Sequence, residues 1–223
     1  MERIKSIHKG KRFWICGSGG SLLDVDEKKI PKEDIIICCN SAVSYFKKFH
    51  YAVFTDGSAN YSNWYIKLKG KRNITFILLN NEIDSISKKT IRLEKDFQKW
   101  KFTKEDTKII GGYDVIHCAA HIAFMMGADE IILVGVDLKH VSRFQKHAND
   151  QSLIDNAPEG LKQTVRESTA SNETLFDGHL GMSLSGWETI KTHNNLKIRS
   201  IGVNGNLNIF PLISFENLIN ELR

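Results

Sequence analysis

Short unbroken apolar runs recur along this chain, and the stretches between them carry apolar residues at helical spacing. Residues 12–16, 35–39, 51–55, 74–79, 130–134 and 197–201 form the runs, and they are rich in Ile and Val. Continuous rather than alternating apolar runs of this length predict strands covered on both faces. Residues 41–49, 58–69, 115–127 and 183–193 predict the helices between them. Strands alternating with helices imply an α/β fold with a Rossmann-like, doubly wound, mostly parallel sheet. The length of 223 residues suits one nucleotide-binding α/β domain over 1–223.

The pattern lapses over 138–178, where polar residues dominate and apolar positions are scattered. A stretch that long without periodicity predicts a lid-like insertion. Arg143, Lys146 and His147 near its start could meet a diphosphate or lie on a solvated face.

In doubly wound sheets ligands sit beyond the carboxyl ends of the strands, so those ends carry the search for chemistry. The first strand runs into Gly17-Ser18-Gly19-Gly20-Ser21. Glycines let the backbone turn sharply and present bare N–H groups. Should Ser21 open a helix, those groups and the helix dipole would converge on an anion such as a nucleotide phosphate. The spacing is neither G-x-G-x-x-G nor a Walker A, and a tight turn without ligand is the alternative. The second strand ends in Asn40-Ser41, the third in Asp56-Gly57 and the fifth in Gly135-Val136-Asp137. Each residue could equally cap or turn the chain locally; together they point to a ligand.

Composition narrows the partners. A net charge of +5 with a pI near 8.9 suits an anionic small molecule or an acidic membrane face. Lysines alternate with acids and no Arg-rich stripe with interleaved aromatics appears, which argues against nucleic acid. Cys16, Cys38, Cys39 and Cys118 lie in apolar runs without a C-x-x-C pair, so buried free thiols are expected. The opening Met-Glu-Arg-Ile-Lys lacks a signal-peptide core and no run reaches the ~18 apolar residues of a membrane span. The expected location is therefore cytoplasmic, with the inner face of the membrane, peripheral association and homo-oligomerisation left open. His117 and His121 stand four apart on one predicted helix, a metal-ligand spacing. No H-E-x-x-H accompanies them and their neighbours are apolar, so they read as a core or interface pair and no metal is assigned.

Several of these segments resemble known families. Ile15–Leu22, Cys39–Ser41, Ala52–Ser58 and Met126–Leu138 look like successive motifs of the bacterial sialyltransferases of glycosyltransferase family 42. They look equally like a broader group typified by an archaeal 6-hydroxymethyl-dihydropterin diphosphokinase, which Gly112–Gly127 and Asn204–Pro211 resemble more closely. Both imply a Rossmann-like, GT-A-like fold over most of the chain outside the insertion. The resemblance to the sialyltransferases implies donor contacts for Gly17, Ser18, Gly19, Ser21 and Asn40, and the candidate donor site as a whole takes in Gly20, Ser41, Asp56, Gly57, Gly111, Gly112, Asp137 and Asn204 as well. Asp56 departs from the sialyltransferases, which carry an asparagine there. An aspartate would repel the carboxylate of sialic acid but could accept from a sugar hydroxyl or hold Mg²⁺.

His179, in Phe176-Asp177-Gly178-His179, matches a Gly-His pair that supplies the general base in the sialyltransferases. A transfer reaction asks for such a group, because the attacking hydroxyl must lose its proton and imidazole titrates near working pH. Packing or capping by a loop histidine is the alternative. The expectation is a glycosyltransferase that moves a sugar from a nucleotide, CMP favoured, to a glycan acceptor in surface-polysaccharide or glycoprotein synthesis. It would require no cofactor beyond the nucleotide-sugar. The other readings are a diphosphokinase of the pterin type, with Mg²⁺ at Asp56 or Asp137, and a nucleotide-binding protein without catalysis.

Overall fold

Alternate residues of a strand point to opposite sides of its sheet, so a run that is apolar throughout must be covered twice. In the computed structural model, which describes residues 1–71, 73–97, 101–112, 114–136, 138, 173–202 and 207–222, this is what β1 (Lys11–Cys16) does. Phe13 and Ile15 enter one core and Trp14 and Cys16 the other, all fully buried. The same split holds in β2 (Ile35–Cys39), β3 (Tyr51–Phe54) and β4 (Thr75–Leu78).

Short β5 (Thr90–Arg92) follows, then β6 (Lys95–Asp96) and β7 (Ile109–Ile110), which pair only with each other. β8 (Ala128–Val134), β9 (Lys197–Ile201) and β10 (Leu212–Ile213) complete the main sheet. Its order is β10-β9-β8-β1-β2-β3-β4-β5, with parallel pairing throughout. All six strands expected from the apolar runs are present to within two residues. Strands β5, β6, β7 and β10 span two or three residues each, too few to carry a period.

One face is covered by α2 (Val115–Met126) and α3 (Glu173–His193), the other by short α1 (Asn63–Ile66) and α4 (Phe215–Glu221). Asp114 caps α2 by accepting from the N–H groups of Ile116 and His117. Gly127 ends it at φ +94°, where a Cβ would stand 2.8 Å from the Lys9 Cα, so only glycine fits. Helix α2 is apolar nearly all round because it lies between the sheet and α3. His121 belongs to this core. Its Nδ1 accepts the Ile110 N–H at 3.0 Å, its Nε2 faces Asp106 Oδ2 at 2.8 Å, and its ring stacks on Phe102. His117 is also fully buried.

The opposite face corrects the sequence reading. Residues 41–49 and 58–69 are largely not α-helical: they form 3-10 turns at Asn40–Ser44 and Gly57–Tyr61, followed in the second case by α1. Ser21 likewise lies in a 3-10 turn, Gly20–Asp24, and not at the head of an α-helix. Crossover length accounts for this. The link between β2 and β3 runs only from Asn40 to His50 and must travel back along a strand of ~17 Å. A 3-10 turn rises ~2.0 Å per residue against ~1.5 Å in an α-helix, and so covers that distance with fewer residues.

On the first face the helix expected over 183–193 begins ten residues earlier, so α3 takes in the last six residues of the expected insertion. Residues 139–172 of that insertion, including Arg143, Lys146 and His147, lie outside the described residues. Among the described residues no helix is long and apolar enough to cross a membrane.

Candidate nucleotide site

The carboxyl ends of β1, β2, β3 and β8 open at one edge of the sheet. The register pairs Cys16 with Cys38 and Cys39 with Val53, so the glycine turn, Asn40 and Asp56 emerge from neighbouring strands. Helix α2 runs back against the strands and brings its N-terminus to the same edge. A Cβ on Gly17 would lie 3.2 Å from the Ile116 side chain in the first turn of α2.

Glycine is required at position 17 for a reason the sequence does not give. A Cβ there would stand 2.5 Å from the carbonyl oxygen of Gly135, and one on Gly135 equally close to that of Gly17. The two backbones cross where β1 and β8 end, with Gly135 at φ +64°. The Gly17 N–H donates to Val134 and the Gly19 N–H to Gly135, both at 2.7 Å, while the Gly135 N–H donates to Ser21 Oγ at 3.1 Å. The expectation of bare N–H groups along the loop therefore fails at Gly17 and Gly19. Those two groups bind the neighbouring strand end.

Asn40 shows the opposite condition. It stands at φ +47°, a backbone conformation uncommon for a residue with a side chain, and its Oδ1 is buried with no hydrogen-bond partner among the described residues. Strain and an unmet acceptor in one residue are both costly, and such costs concentrate where a ligand meets them. Ser41 beside it is buried. Asp56 is exposed at the end of β3, and its carbonyl accepts from Ala59. Gly57 packs against Glu82, whose Oε2 would lie 2.8 Å from a Cβ at that position.

Gly111 and Gly112 lead into α2. The Gly111 N–H bonds the Asp96 carbonyl at 2.6 Å, and the Phe97 ring occupies the space a Cβ would need. Gly112 stands at φ +50°, and a Cβ there would come within 2.7 Å of the His117 Cβ. Close packing thus explains both glycines and sets them beside the site.

Asp114 is a residue that the search of strand ends missed. Besides capping α2 it accepts a hydrogen bond from Ser183 Oγ of α3 and stands 3.3 Å from His117 Nδ1. An aspartate directly before the apolar Val115-Ile116 is a helix-start signal that could have drawn attention to it. Ser183 carries no such signal. The thiols below the site stay protonated: burial pushes Cys38 and Cys39 well up and Cys118 to about 12, with the Asp114 charge adding to both Cys39 and Cys118. All four cysteines are free and buried, and they pack as apolar groups.

Asp137 and Asn204 lie outside the described residues. His179 falls within α3 rather than in a loop ahead of a helix, one turn before Ser183, and its side chain is outside the described part. Among the described residues no three of His, Cys, Asp and Glu converge on a common point as a metal-ligand set.

A parallel sheet of this order, with a glycine turn after its central strand and a strained asparagine after the next, defines a Rossmann-like α/β fold. The chain belongs to the 6-hydroxymethylpterin diphosphokinase MptE-like family, which it matches over residues 1–143. No curated protein matches the sequence. Among solved structures it is similar to the monofunctional α-2,3-sialyltransferase Cst-I of Campylobacter jejuni, with a TM-score of 0.54 at 15% identity, covering 91% of this chain and 80% of that one. It is also similar to the sialyltransferase CstII of Campylobacter jejuni in complex with the substrate analogue CMP-3FNeuAc, with a TM-score of 0.53 at 16% identity, covering 92% and 85%. At these identities the likeness is one of fold, and it agrees with the Rossmann-like, GT-A-like architecture expected from the sequence.

Proposed function

We propose that this protein is a glycosyltransferase that takes a nucleotide-activated sugar, a CMP-sugar in the first instance, and transfers the sugar to a glycan acceptor. The observation that carries the reading is Asn40, whose amide oxygen is buried, without a partner among the described residues, in a strained backbone beside the glycine turn. An amide there suits the donor groups of a base or ribose. The likeness in fold to CstII, which was solved with a CMP-sugar analogue, supports the choice of nucleotide. In this reading Gly20 and Ser21 lie nearest the phosphate, and Asp56 and Gly57 line the sugar side. Asp137 and Asn204 complete the donor contacts. His179 removes the proton of the attacking hydroxyl, and the acceptors belong to surface-polysaccharide or glycoprotein synthesis.

Membership of the MptE-like family favours a second reading, transfer of diphosphate from ATP to a pterin-type alcohol. Mg²⁺ is commonly held by one or two carboxylates together with substrate phosphates. Asp56 and Glu82, both exposed beyond neighbouring strands, would suffice for that. The ion would neutralise phosphate charge during the transfer.

A thermal-shift comparison of CMP, UDP, GDP, ADP and ATP, each with and without Mg²⁺, separates the two. CMP at a hundredfold excess over its dissociation constant should stabilise the fold by about 2.7 kcal/mol without Mg²⁺. Stabilisation by ATP with Mg²⁺ and none by CMP would replace the transferase with the diphosphokinase.

A further inference from the structure

We propose that Ser183 and Asp114 form a clasp that positions the first half of α3 over the nucleotide site, and that Ser183 acts in turnover through His179. The proposal deepens the transferase reading and rests on it for the role of His179.

The clasp joins the head of α2 to α3, one turn ahead of the point where the His117 and Trp187 rings meet at 4.5 Å. Asp114 Oδ1 receives the Ile116 and His117 N–H groups, each at 2.9 Å, so the carboxylate is fixed to the head of α2. Its second oxygen receives the Ser183 hydroxyl, which is 2% exposed. Asp114 lies at the edge of the sheet that holds the site, since it caps α2 and a Cβ on Gly17 would stand 3.2 Å from the Ile116 side chain in the first turn of that helix. Ser183 is therefore tied to the floor of the site and not to a remote part of the core.

Toward its C-terminus α3 is held by apolar contacts, with Trp187 and Ile190 fully buried. At Gly181 and Met182 that burial lapses. Met182 is 42% exposed and a Cβ on Gly181 would meet open space. The local sequence does not favour a helix here either. Gly178 and Gly181 bracket His179, and each costs about 1 kcal/mol relative to alanine in a helix interior. With weak propensity on this side, the Ser183 hydrogen bond to the Asp114 carboxylate is a fixed point one turn past His179. That bond decides whether the turn carrying His179 stays wound against the site.

Ser183→Ala tests this without touching the α2 cap, and Ser183→Thr keeps the hydroxyl. Three quantities are measured on the full-length protein: amide exchange over residues 173–182, CMP affinity, and CMP release from a CMP-sugar in the presence of acceptor. In Ser183→Ala, exchange over 173–182 should speed up by about ten- to a hundredfold, the range for losing a hydrogen bond to a charged group. The kcat should fall by a similar factor, the KM for the CMP-sugar and the affinity for CMP should stay within about twofold, and Ser183→Thr should restore all of it. Wild-type exchange in Ser183→Ala overturns the clasp. Faster exchange with a parallel loss of CMP affinity overturns the positioning role and makes Ser183 a donor contact. If the wild-type protein releases no CMP from any CMP-sugar, the transferase reading and the role through His179 fall, and exchange alone then decides the clasp.

Discussion

An asparagine in the left-handed region is tolerated because its short side chain makes that conformation less costly than for most residues, though glycine adopts it more readily. Asn40 adds to this backbone cost a buried amide oxygen with no partner among the described residues. Glycine in its place would keep the backbone and remove the acceptor. Asn40→Gly should therefore leave the free protein at least as stable as wild type, with a gain of up to about 1 kcal/mol from removing an unmet polar group, despite the extra chain entropy of glycine. CMP should meanwhile bind about tenfold more weakly. Urea unfolding together with calorimetric titration checks both halves. Equal loss of stability and affinity would make Asn40 a structural turn. The sequence singled out Asn40 from its place after a strand, but its strain and burial are properties of the fold and have no local signature.

At the scale of elements, strands were legible because burial on both faces leaves unbroken apolar runs. Helix α2 was legible because its apolar residues recur at helical spacing up to Gly127. The 3-10 turns were not legible, since they use the same apolar spacing as a helix and are set by the distance the crossover must span. The role of the glycine turn was half legible. Its place directly after β1 was read correctly, but what demands glycine at 17 is the close approach of Gly135, more than a hundred residues away, and not a left-handed backbone. This crossing makes a prediction about how β1 and β8 end. Gly135→Ala adds a side chain at φ +64° and within 2.5 Å of a carbonyl oxygen. It should lower stability by about 1–3 kcal/mol or more and loosen the turn that it supports, weakening nucleotide binding too. Denaturant midpoint and CMP affinity should fall together. A folded variant with both unchanged would mean that the crossing is not rigid.

Across the whole molecule the two ends of the sheet are built differently. The carboxyl end keeps the strained asparagine and tight glycine crossings, whereas the amino end is stitched by ions. Arg12 of β1 reaches Glu130 of β8 at 2.7 Å and Asp34 ahead of β2 at 3.2 Å. Glu130 also meets Lys197 and Arg199 of β9, and Arg199 continues to Glu221 of α4. The Trp14 indole N–H donates to Asp34.

Burial alone would raise the Glu130 carboxyl, but hydrogen bonds from Arg12 and Lys197 and the charge of Arg199 outweigh it and hold it below the usual 4.5. A carboxyl lowered by folding contributes stability above its unfolded pKa, and that contribution is lost as pH falls through the folded value. Glu130→Gln should thus cost about 3 kcal/mol at pH 7, the low end for opening a buried ion pair, because the guanidinium partners keep some contact with water. The gap between variant and wild type should shrink as pH drops below about 4.5, where wild type protonates and the variant has nothing to lose. CMP affinity should not change, since the network lies at the opposite end of the sheet from the site. Unfolding followed from pH 7 to pH 3 decides it. A gap that stays constant over that range would show that packing, and not charge, holds the amino end together.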